Sequence, residues 1–138
     1  MTSRVLAEVG PGVRDSGRGF RVAIVGVCTS GKTTLRDALK TAGVDAYVVS
    51  QEHSSVRKMW DLRAPQYVIC LDCDIETARS RRPVYWGEEM LGRQRERLRD
   101  ARDNCDVYID TSDLETPETV RRVMISMASR QGGAECLL

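Results

Sequence analysis

The 138-residue chain has no apolar run long enough to cross a membrane. Its longest, around Val22–Val27 and Tyr67–Leu71, fall far short of the roughly 18 to 20 residues a span requires. Near the N-terminus Arg4, Glu8, Arg14, Asp15 and Arg18 interrupt the apolar core a signal peptide needs, so the expected compartment is the cytosol. Net charge is also scarce: 21 Lys and Arg against 20 Asp and Glu leave +1, which gives no global pull toward nucleic acid or an anionic membrane. The five cysteines, Cys28, Cys70, Cys73, Cys105 and Cys136, are odd in number and scattered through expected strand, loop and helix, which reads as reduced thiols rather than a disulfide framework. Cys70 and Cys73 have C-x-x-C spacing, but residues three apart at a strand end point to opposite faces, so no metal or redox role is expected there. There is one histidine, His53, and no Asn-Lys-x-Asp signature for guanine. A hydrophobic fraction of 41% and the length suit one domain with one core.

What is present is more specific. Gly26-Val27-Cys28-Thr29-Ser30-Gly31-Lys32-Thr33 is a complete G-x-x-x-x-G-K-T phosphate-binding loop. Before it, Val22-Ala23-Ile24-Val25 has the β-branched character of a buried parallel strand; after it, Thr34 to Lys40 carries helix formers with Leu35 and Leu39 at i and i+4. In such a strand, loop and helix, the glycines let successive N–H groups point into one concavity, and the helix adds its partial positive end, so main chain holds most of a triphosphate. Lys32 is expected to neutralise the β and γ phosphates, and the Thr33 hydroxyl to ligate magnesium. Residues Gly26 through Thr33, with Thr34 beyond them, are the expected nucleotide-binding set, and Cys28 is the thiol whose modification would disturb it.

Residues 1–19 mix glycine, proline and arginine and read as a mobile arm, the domain spans 20–130, and 131–138 are a tail. Gly43 is expected to cap the first helix, and a strand follows over Val44–Val49. A short helix is expected over Ser54–Leu62, a strand over Tyr67–Leu71 and a helix over Ile75–Arg82. Pro83 ends that helix, a charged helix runs over Glu88–Asn104 with an apolar stripe of Leu91, Leu98 and Cys105, and Val107–Ile109 is the last strand. Thr116 is read as the N-cap of a final helix with Pro117 in its first position. Apolar strands alternating with helices predict an α/β fold, a mostly parallel sheet of four to five strands with helices on both faces, whose ligand site lies beyond the carboxyl ends of the strands.

The phosphate loop, the Leu71-Asp72 strand end, Arg79, Arg81 and Arg82 around a lid-like loop, and Tyr108-Ile109-Asp110-Thr111 before the Pro117-Glu118 helix together resemble the small P-loop kinases of the nucleoside, nucleotide and shikimate kinase-like group. The resemblance covers about residues 20–128. It implies a three-layer P-loop NTPase fold, magnesium-ATP as donor, a lid over about residues 79–97 whose Arg82 and Arg79 close on the transferred phosphate, and a segment from Asp110 to Thr116 flanking the adenine. Asp72 is the candidate second magnesium contact, or else it or Asp74 is a helix N-cap. Glu52 and His53, just past the second strand, are candidates to contact the metal shell or to orient or deprotonate an acceptor hydroxyl, with helix capping as the bland alternative. The chain departs from the group in having four clear strands, about seventeen residues between Val49 and Tyr67, no shikimate-type glycine triplet and no separate metal-binding strand ending in Asp. The expected activity is transfer of the γ-phosphate of ATP to a small-molecule acceptor, by a monomer or homodimer. Its rivals are a regulatory module that hydrolyses nucleotide slowly, and a kinase for nucleic-acid ends, which rests on the arginines between 79 and 102 and conflicts with the near-neutral charge.

Overall fold

Short apolar segments rich in valine and isoleucine become the strands of the structure, a computed structural model that describes residues 20–83 and 85–132. The expected arm over 1–19, Val84 of the expected lid and tail residues 133–138 lie outside the described residues. Among the described residues there are four strands, β1 (Arg21–Gly26), β2 (Asp45–Val48), β3 (Tyr67–Asp72) and β4 (Val107–Asp110), all parallel and ordered β2-β1-β3-β4. The two central strands are buried at every position, which is why they read as continuous apolar runs.

Alternation along each strand divides the core in two. Val22 and Ile24 of β1, with Tyr67, Ile69 and Leu71 of β3, pack against α1 (Lys32–Thr41) and α5 (Thr116–Gly132) through Leu35, Leu39, Val123 and Met127. Val25, Val68 and Cys70 point the other way, to α2 (Ile75–Arg81), α3 (Glu88–Arg97) and α4 (Arg99–Asn104), through Ala78, Leu91, Leu98 and Ala101. Helices therefore cover both faces. At the end of α1, Gly43 takes φ +90°, and the N–H groups of Gly43 and Val44 donate to the carbonyls of Lys40 and Leu39, a Schellman closure that only glycine enters without strain.

Several local expectations need correction. The helix read over Ser54–Leu62 is replaced by two single 3₁₀ turns, Gln51–His53 and Met59–Asp61. Buried Gln51 takes over the backbone pairing there: its Oε1 accepts the Trp60 N–H at 2.8 Å and its Nε2 donates to the Val56 carbonyl at 2.7 Å. The long charged helix breaks at Leu98, and the bend brings Asp100 to the Trp60 indole N–H at 2.9 Å. The last helix starts one residue early, because the Glu115 carbonyl accepts from Glu118 and Thr119, which makes Glu115 the cap and Pro117 the second helical residue. Cys70 and Cys73 share one core cluster rather than facing opposite ways, since Cys73 lies past the strand end where alternation stops. Burial pushes both thiols up, Cys70 to about 12, so at neutral pH they are inert and protonated.

Candidate functional site

The two glycines that bound the turn after β1 are required for different reasons. A Cβ on Gly26 would lie 2.6 Å from the Leu71 carbonyl oxygen, because β3 runs too close for any side chain. Gly31 has open space but φ +100°. Between them Thr29 sits at φ +63°, a left-handed conformation that a β-branched residue avoids unless it is held. It is held: Arg81 Nη1 donates to the Thr29 carbonyl at 2.8 Å, and the same guanidinium reaches the Thr111 hydroxyl and carbonyl. The buried Thr111 hydroxyl in turn donates to the Ser30 carbonyl at 2.8 Å. The turn is thus tied both to the end of α2 and to the residue that follows β4.

No side chain caps α1, so its first-turn N–H groups and the positive end of its dipole are available at the mouth of the turn. Against them lies a cavity of about 440 Å³, lined by residues 29–35, by Arg81 and Arg82, and on the far side by Thr111 and the 114–119 segment that opens α5. Thr29, Ser30, Gly31, Lys32, Thr33 and Thr34 of the expected set line it, as does Arg82. Arg79 does not, and its guanidinium lies instead beside Gly87.

Lys32 lines the cavity but turns its ammonium back under the loop, donating to the carbonyls of Gly26 and Val27 at 2.9 and 3.0 Å. There it meets Glu52 Oε2 at 2.9 Å, a pair with side chains only 10% and 4% exposed. Glu52 therefore faces Lys32 rather than solvent. His53 Nε2 lies 3.4 Å from the same carboxylate oxygen and 3.4 Å from Cys28 Sγ. Gln94 of α3 fastens Cys28 from behind: its Oε1 accepts the Cys28 N–H at 2.8 Å while its Nε2 approaches the sulfur at 3.5 Å.

Asp72 is engaged by other side chains. Its neighbour Leu71 faces α1, so Asp72 faces the opposite helices, where Oδ1 accepts from Arg95 and the Cys73 N–H and Oδ2 accepts the Tyr108 hydroxyl at 2.6 Å. Burial raises the Tyr108 phenol well above its ordinary value, and the adjacent carboxylate adds to the rise. Asp74, not Asp72, caps α2 by accepting the Thr77 N–H, and the Thr77 side chain together with that N–H lowers its carboxyl below the usual range.

The sequence reading named Arg81 and Thr111 only within the family resemblance, without a role at the loop, and did not name Gln94, yet two of the three carried a signal. Ile75, Ala78 and Arg81 recur every three residues, and so do Leu91 and Gln94, so each polar residue continues an apolar stripe toward the sheet. Thr111 offered no such periodicity. No protein-family model matches the chain, and no curated protein is significantly similar to it. Fold and site define its class at one level: an α/β protein with an all-parallel four-stranded sheet and a glycine-bounded turn that leads into an uncapped helix N-terminus beside a cavity. Among the described residues no helix is long and apolar enough to cross a membrane.

Proposed function

We propose that the chain is a small P-loop kinase-like protein that binds magnesium-ATP in this cavity and transfers the γ-phosphate to a small hydroxyl or phosphate acceptor. The observation that carries the reading is convergence: the G-x-x-x-x-G-K-T turn, the uncapped start of α1, Lys32, Arg81 and Arg82 border one cavity of nucleotide size. The polyphosphate lies along the backbone donors of residues 29–33, with the arginines over its outer end and the base toward residues 114–119. Thr33 would hold magnesium, a hard ion that supplies charge neutralisation between the phosphates. Asp72, with both oxygens engaged elsewhere, takes no part in this scheme.

Lys32 exchanges its Glu52 partner for the β and γ phosphates when nucleotide enters. Glu52 does not line the cavity, so once released from the ammonium it would serve as base for an acceptor that enters on the β2–β3 side of the loop. The acceptor oxygen forms a bond to the γ-phosphorus as the bond to the bridging oxygen breaks, and the hydroxyl proton passes to the carboxylate. Calorimetry on the folded protein is expected to show magnesium-ATP binding at micromolar to sub-millimolar strength, and GTP competition measures base preference. A folded protein that binds no nucleotide ends this reading.

One observation favours the rival in which nucleotide is bound and only slowly hydrolysed. The segment between β2 and β3, where an acceptor would be gripped, closes on itself around buried Gln51 and Trp60. Incubation with γ-labelled ATP and a metabolite extract separates the two: label on an organic product supports the kinase, and label in inorganic phosphate alone supports the hydrolytic module.

A further inference from the structure

Cys28, Glu52 and His53 bring a sulfur, a carboxylate oxygen and an imidazole nitrogen within 4.8 Å of one another. We propose that, in the nucleotide-free protein, they form a binding site for one zinc-like divalent cation, distinct from magnesium and sharing Glu52 with the nucleotide reading. Three features point to a cation. One edge, from sulfur to carboxylate, is within 4.8 Å, and the other two, 3.4 Å from Cys28 Sγ to His53 Nε2 and 3.4 Å from that nitrogen to Glu52 Oε2, fit a tetrahedron around zinc. With bonds of about 2.3 Å to sulfur and about 2.0 to 2.1 Å to nitrogen and oxygen, its edges are roughly 3.6 and 3.4 Å. Second, Glu52 is 3% exposed, and its Oε1 is buried without a hydrogen-bond partner, so the carboxylate has a spare oxygen to hold Lys32 when Oε2, which holds it now, goes to the cation.

Third, both contacts of the imidazole fall on the same nitrogen. A Cys-His-carboxylate relay for nucleophilic attack needs the thiol at one ring nitrogen and the carboxylate at the other. Three donors aimed at one point fit coordination instead. Thiolate and imidazole select zinc over magnesium, which takes oxygen ligands. Gln94 supplies the supporting contact, fixing Cys28 through its N–H and offering an amide N–H toward the sulfur, as partners behind metal ligands commonly do. His53 is exposed, so the fourth position opens to solvent and the cation exchanges.

The test is cobalt titration of the full chain, reduced, stripped with chelator and free of nucleotide. One equivalent is expected to bind with a thiolate-to-cobalt charge-transfer band and the intense d–d bands of a tetrahedral ion, and zinc displaces it. Cys28→Ser removes the charge-transfer band, His53→Ala weakens binding roughly tenfold or more, and Cys105→Ser and Cys136→Ser change neither. A weak octahedral spectrum, a band that survives Cys28→Ser, or a band lost in Cys136→Ser overturns the proposal. Unmodified protein gives a second readout that does not depend on variant folding. Zinc is expected to shield Cys28 from iodoacetamide in peptide mass analysis, and equal labelling with and without zinc also overturns it. Because no nucleotide is present, failure here leaves the ATP reading standing, and loss of ATP binding leaves this site standing.

Discussion

The two flanks of Lys32 are built by different means. On the cavity flank, consecutive residues 29–35 present main chain and the start of a helix, and Arg81, Arg82, Thr111 and the start of α5 close around them. On the other flank, Cys28, the Glu52–His53 pair and Gln94 arrive from three separate segments and meet through side chains. The first is a local motif steadied by tertiary contacts, whereas the second exists only through tertiary contacts. Lys32 joins them, so its environment reports on both.

Breaking that joint is expected to have the largest effect. Lys32→Ala leaves the Glu52 carboxylate buried without its cation, an arrangement that destabilises by about 3 to 5 kcal/mol. Lys32→Ala with Glu52→Gln is expected to recover most of that loss in urea unfolding while nucleotide affinity stays low. A double variant as unstable as the single one would show that the flanks are not coupled through this pair.

Next in size is the loop itself. Gly26→Ala forces a Cβ against the Leu71 carbonyl and is expected to destabilise by about 1 to 3 kcal/mol. Gly92→Ala, with open space on α3, is the control and is expected to stabilise by up to about 1 kcal/mol. Equal effects at the two glycines would contradict the close approach of β3. Smaller again is the contrast between neighbouring arginines. Arg81→Ala removes the tie between Thr29 and Thr111 and should lower stability by about 1 kcal/mol, whereas Arg82→Ala should leave the melting temperature unmoved and lower turnover alone.

A weaker effect of pH tests the segment behind the second flank. The Trp60 indole N–H, with Lys58 and Arg57, holds the Asp100 carboxyl below the usual carboxylate range. Its folded value lies below the unfolded one of about 3.9, so its contribution is complete above that value and is lost as pH falls through the folded one. Melting curves of Asp100→Asn are expected to show a shallower acid slope than wild type below about pH 4. An unchanged slope would mean that Asp100 does not anchor the 50s segment. At the bottom of the scale, Glu89→Gln breaks an exposed pair with Arg93 and is expected to leave stability within experimental scatter.

Much of the frame was legible from residue order, because its causes are local. Continuous apolar strands, two leucines at helical spacing, and Gly43 at a helix end each act within a few residues, and all were recovered within about one position. The misreadings share one origin. Ser54–Leu62 has helical character in isolation, but Gln51 and Asp100 supply its backbone and indole partners from outside the segment. The sequence read Asp72 as a magnesium ligand by position, and the face it takes at the end of β3 sends it to Arg95 and Tyr108.

By itself the amino-acid order determined the phosphate-loop pattern and the β/α alternation, since each depends on chemistry within one turn or strand. Tertiary structure alone decided that Arg81 rather than Arg79 reaches the loop, that Thr111 locks Ser30, and that Glu52, His53 and Cys28 converge under Lys32. The physical reason is sequence separation. Side chains tens of residues apart meet only after the core has fixed the helix phases and strand faces, and a linear sequence does not record those angles.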